Sequence, residues 1–99
     1  MVKLLMTWNI KPEHETEYLS FINHHFTPGM MQLGLEPTEA WYTYWGDGPQ
    51  ITMSFVAESL DRAKAVVRDP QWAIYLDQLA EHVSDIQYKV IPAFGTFQI

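Results

Sequence analysis

Val2-Lys3-Leu4-Leu5-Met6-Thr7-Trp8-Asn9-Ile10 is the stretch that decides the fold. Val2, Leu4, Met6 and Trp8 recur at every second position, so in an extended chain they share one wholly apolar side. Lys3, Leu5, Thr7 and Asn9 take the other. A strand with such a side needs helices laid over it. Gln50 to Ala57 has the same property, with Ile51, Met53 and Phe55 opposed to Thr52, Ser54 and Val56. These two cleanest strands read as the central pair of a sheet.

Between them the spacing predicts a helix. Pro12 fits a first helical position, and Glu13, Glu15 and Glu17 lie near the positive end of the helix dipole. Tyr18, Leu19, Phe21, Ile22, His25 and Phe26 then fall on one broad face, which points His25 at the sheet. Thr27-Pro28-Gly29 is expected to break this helix, with a short turn through Met30, Met31 and Leu33 that Gly34 closes. Glu39 to Trp45 reads as the outer strand of a hairpin turning at Gly46-Asp47-Gly48-Pro49. Beyond it, Ser59 can cap a helix presenting Leu60, Ala63, Val66 and Val67. Asp69-Pro70 restarts that helix with Trp72, Tyr75, Leu76, Leu79 and Val83 at helical spacing. Ile86 to Ile91 is a last strand, and Phe94 to Ile99 form an extended apolar tail. The order β-α-β-β-α-β predicts one ferredoxin-like α+β domain over residues 1–99, with a four-stranded antiparallel sheet.

The second sheet face, carrying Leu5, Thr7, Val56 and Ile91, is too apolar for water and too polar for a monomer core. A homodimer that pairs this face with its copy resolves the conflict. Twelve acidic against six basic residues leave a formal charge of −6, which opposes binding to phosphate backbones. No apolar run approaches the roughly 20 residues of a membrane helix. The opening residues lack a signal peptide's length and cleavage site, so a cytoplasmic protein is expected. Without cysteine there is no thiolate chemistry, and the histidines show no metal-binding spacing; neither metal nor cofactor is expected. Four Trp, five Tyr and five Phe need a core, a pocket or an interface to cover them.

The whole chain resembles the dimeric α+β barrel superfamily, closest to the small bacterial NIPSNAP-like and antibiotic-biosynthesis-monooxygenase-like proteins. The resemblance rests on Trp8-Asn9-Ile10 with Lys11-Pro12-Glu13, on Leu33-Gly34-Leu35, and on Gly46-Asp47-Gly48-Pro49-Gln50-Ile51. Arg68-Asp69-Pro70-Gln71-Trp72 and Tyr88-Lys89-Val90 complete it. It implies two sheets closing into a barrel and a pocket between each sheet and its own helices. It also implies a range of activities, from cofactor-free monooxygenases and isomerases to haem degradation, as well as members without known activity.

Asn9, Trp72 and His82 are similar to the Asn, Trp and His of haem-degrading members. Aligned on the helix break, however, that Trp falls near Val66 or Val67 and that His near Tyr75 or Leu76. Trp72 therefore reads as a packing aromatic and His82 as the edge of a helix. The candidate site residues are His25 as base or hydrogen-bond donor, with Asn9, Tyr42 and Tyr44 as further ligand contacts. The competing reading makes His25 a satisfied core imidazole and the rings plain packing. The sequence thus predicts a protein holding a small apolar or aromatic metabolite between helices and sheet. The alternatives are a cofactor-free monooxygenase or isomerase acting on an aromatic substrate, and a purely structural dimer.

Overall fold

The computed structural model describes residues 1–93; the predicted tail from Phe94 onward lies outside them. Strand β1 (Val2–Ile10) leads into helix α1 (Glu15–Phe21), a π-helical turn (Ile22–Phe26) and helix α2 (Thr27–Gln32). Strands β2 (Glu36–Tyr42) and β3 (Ile51–Ala57) follow, then helices α3 (Leu60–Arg68) and α4 (Pro70–Leu79) and strand β4 (Val83–Pro92). The sheet is antiparallel in the order β2-β3-β1-β4, so the two strands with the cleanest apolar faces are central, as predicted. The fold is ferredoxin-like α+β.

The pairing Leu4 with Phe55 and Met6 with Met53 puts the apolar sides of the two central strands on one face. Leu4, Met6, Trp8, Met53 and Phe55 are buried there beneath Tyr18, Phe26, Met30, Ala63, Val66 and Leu79. Trp8 is the hub: its ring meets Tyr18 edge-on at 6.4 Å and Phe26 at 5.9 Å. Ser59 Oγ accepts from the Arg62 backbone N–H at 3.1 Å, and Asp69 Oδ1 accepts from that of Gln71 at 2.8 Å. The predicted cap at Ser59 is therefore made, Asp69 caps the predicted restart, and Pro70 takes the first turn, where no donor is missed.

The structure corrects several predicted boundaries. Pro12 lies in a turn and α1 begins at Glu15, because Glu13 adopts φ 68°, outside helical space. Thr27-Pro28-Gly29 does not break the helix. The backbone N–H of Thr27 reaches back five residues to the Ile22 carbonyl, and Pro28 falls in the first turn of α2, where its missing donor costs nothing. The wider turn advances the core face by a residue, so Phe26 is buried and His25, predicted to face the sheet, is exposed. Strand β2 runs Glu36–Tyr42 rather than to Trp45, and residues 43–50 form a loop. Tyr44 and Trp45 project from it at 95% and 92% exposure. Helix α4 ends at Leu79, and Val83 instead opens β4, which carries a register shift opposite Thr7–Asn9 and a left-handed Asp85 at φ 58°.

Trp72 of α4 is 4% exposed, belongs to the core, and meets the half-exposed Tyr88 edge-on at 5.4 Å. Trp72→Ala is expected to destabilise the domain by roughly 3–5 kcal/mol, read from a denaturant midpoint at unchanged slope.

Candidate functional site

Helix α1 stops short of the β2 edge of the sheet, where α2 makes the helix contact. All seven residues of β2 are exposed, and an open-mouthed cleft of about 480 Å³ lies between that strand and α1. Tyr18, Leu19 and Ile22 form its helical wall. Ile51 and Met53 of β3 form the floor, and Ala40 to Tyr42 form the far rim. Register explains the floor: Ala40 pairs with Met53 and Tyr42 with Ile51, so these side chains share the helix-facing side. Leu19, Trp41 and Tyr42 are 56%, 48% and 53% exposed, so apolar surface continues onto the lip instead of ending inside. The π-turn contributes as well, since Ile22, Asn23 and Thr27 at and beside it line the wall.

Tyr18 is the one polar side chain of the cleft that is fully buried. Its oxygen accepts from Trp8 Nε1 at 2.9 Å, and an indole N–H can only donate. The phenol's own hydrogen meets no acceptor among the described residues. Burial pushes the Tyr18 phenol up to about 12, with the Trp8 bond pulling weakly the other way, so at neutral pH the group is a hydrogen-bond donor and not an anion. Glu15, Asn23 and the Tyr42 hydroxyl stand near the mouth, where Gln50 Nε2 donates to Tyr42 at 3.4 Å.

The four residues singled out from the sequence do not converge. Tyr42 lies on the cleft rim. Tyr44 stands out in the loop. Asn9 belongs to a structural junction: its Oδ1 accepts from the Gln50 backbone at 2.9 Å and its Nδ2 donates to Asp85 at 3.1 Å. Gln50 in turn accepts from the Ile10 backbone at 2.7 Å, so the three side chains tie the end of β1 to its neighbours. His25 stacks on Phe21 at 6.1 Å, beside Gln78 and Glu81, outside the cleft. Among the described residues, no three of His, Cys, Asp or Glu gather at metal-binding distance. Tyr18 and Ile22 carry only the apolar pattern of a core face in the sequence. The signal for Tyr18 is that a buried Trp8 must find an acceptor, and Tyr18 is the polar residue on the facing helix side.

The antiparallel sheet with helices laid over one face is a ferredoxin-like α+β fold, and solved structures share that fold. A NIPSNAP domain protein from Burkholderia xenovorans superposes with a TM-score of 0.74 at 13% identity, over 100% of both chains. A candidate antibiotic biosynthesis monooxygenase from Deinococcus radiodurans gives 0.73 at 15%, over 100% of this chain and 98% of that one. A NIPSNAP family protein from Agrobacterium tumefaciens gives 0.70 at 16%, over 97% and 88%. No protein-family model and no curated protein matches the chain. The fold predicted from the sequence resemblance is therefore the fold these proteins share.

Tyr18→Phe is expected to cost about 1–3 kcal/mol at neutral pH, because it strands the buried Trp8 N–H. The native phenol keeps its proton up to about 12, whereas in the unfolded chain it loses it near 10. The folded state thus holds more protons in that window, so Tyr18's contribution to stability is present below about pH 10 and lost towards 12. Denaturant midpoints across that range should fall more steeply for the natural protein than for Tyr18→Phe.

Proposed function

We propose that the protein binds a small, flat, largely apolar molecule in the cleft between α1 and β2. The observation that carries this is the hollow itself: about 480 Å³, apolar in floor and wall, and continuous with exposed Leu19, Trp41 and Tyr42. That volume is within the usual range for small-molecule pockets, and apolar walls with few polar groups are their common form. Tyr18 supplies the orienting group, a neutral donor that suits a carbonyl or hydroxyl oxygen on the ligand. Binding is favoured over turnover because His25, the base that an aromatic oxidation or isomerisation would have used, stands outside the cleft.

N-phenyl-1-naphthylamine, a neutral fluorescent ring system, tests this directly. Ala40 is exposed on the rim, so Ala40→Trp fills the hollow at little cost to the core. Saturable binding to the natural protein is expected, weakened roughly tenfold or more in Ala40→Trp at unchanged melting temperature and unaffected by His25→Ala. Binding indifferent to Ala40→Trp would refute the cleft as the site.

The opposite sheet face supports a second reading, as the contact surface of a homodimer. Leu5, Thr7, Val56 and Ile91 are each half-buried there within the single chain, so a second copy would complete their burial. Val56→Asp is expected to convert a dimer to a monomer by light scattering, since a carboxylate at a buried interface costs several kcal/mol. A mass near the single-chain 11.5 kDa for the natural protein at micromolar concentration would reject it.

A further inference from the structure

We propose that His14 and His82 form a two-nitrogen chelate for zinc(II), at the opposite end of α1 from the cleft's π-turn and independent of what the cleft binds. Their Nδ1 atoms face each other at 3.5 Å, with ring centroids 5.7 Å apart. That separation is long for a hydrogen bond from a nitrogen donor, which closes to roughly 2.7–3.2 Å. It is close to what one metal ion requires. With Zn–N bonds of about 2.0–2.1 Å, a tetrahedral angle sets two ligand nitrogens about 3.3–3.4 Å apart. A square-planar ion would set two cis nitrogens nearer, at about 2.9 Å, or two trans nitrogens farther apart, at about 4 Å, so the spacing matches the tetrahedral ion.

Both imidazoles are carried on bonded backbone. The His14 N–H donates to the Lys11 carbonyl at 3.1 Å, and its own carbonyl accepts from Tyr18 at 2.8 Å. The His82 N–H donates to Leu79 at 2.9 Å, and its carbonyl accepts from Lys11 at 2.9 Å. Phe21 packs against the His82 ring at 5.6 Å and limits its rotation. The ion therefore has little ordering of the chain to overcome. Lys11 directs its ammonium to the Ala80 carbonyl at 2.9 Å. Since no third His, Cys, Asp or Glu joins the pair among the described residues, two coordination positions belong to water and the site is open.

The test is calorimetric titration of the metal-free full chain with zinc chloride in a weakly coordinating buffer, with cobalt(II) absorption as the reporter of geometry. One zinc per chain is expected, with tetrahedral cobalt bands and a melting temperature raised by zinc. His14→Gln and His82→Gln should each weaken binding roughly tenfold or more, whereas the double variant His24→Gln, His25→Gln should bind as the natural protein does. Should a variant fail to fold, imidazole NMR signals of the natural protein decide: zinc should move those of His14 and His82 together. Absence of a one-to-one complex, undiminished affinity in either single variant, or shifts confined to His24 and His25 would overturn the proposal.

Discussion

A buried indole N–H that must find an acceptor governs the placement of the first helix. Trp8 is wholly buried on the central strand, and a donor left unpaired there would cost about 1–3 kcal/mol. Tyr18 supplies the oxygen at 2.9 Å, and that bond fixes both the height and the rotation of α1 over the sheet. Phe26 closes on the same indole from the other side and meets Phe55 edge-on at 6.4 Å, so the aromatic chain runs from strand through helix to strand. With α1 pinned above the central strands, it stops short of β2, and contact with that strand is left to α2. The cleft follows from that shortfall.

The parts of the fold legible in the sequence were those set by period-two alternation. Val2 to Trp8 and Ile51 to Phe55 each have one purely apolar side, and in a half-covered sheet that side can face only the helices. The cap at Ser59 and the restart at Asp69-Pro70 were equally legible, because a side-chain oxygen before an apolar run satisfies backbone donors two or three residues on. Where reading failed, the cause was local chemistry with two acceptable outcomes. Proline after Phe26 can end a helix or be absorbed by one wider turn, and the apolar contacts of Phe26 and Met30 select the second. That choice moved His25 from the sheet to the surface, and with it the candidate base.

The site was harder to read because its residues owe their place to pairing register and helix position. Tyr42 lies on the cleft rim, where rings in an edge strand had pointed to a pocket. Tyr44 was misplaced because Thr43 closes the ladder to Gln50 at 2.7 Å and the chain then leaves the sheet, which no alternation pattern marks. The junction of Asn9, Gln50 and Asp85 joins β1, β4 and the loop before β3 and is invisible in any window of sequence. The same holds for His14 and His82, which stand 68 residues apart.

Likeness to NIPSNAP domain proteins at 13–16% identity carries the backbone and leaves the chemistry to be argued from side chains. In this chain that argument turns on α1, a helix of only seven residues. An isolated helix so short would not persist in water, so its order comes from packing and from the bonds at its ends. His14 holds its start through the Lys11 and Tyr18 backbone bonds, and Tyr18 holds its first turn to Trp8. The wider turn at Ile22–Phe26 continues it into α2. Each of these attachments also sets a wall of the cleft or one nitrogen of the histidine pair. The sequence around α1 therefore serves the fold and the candidate sites with the same residues, and substitutions there are read correctly only when stability and binding are measured together.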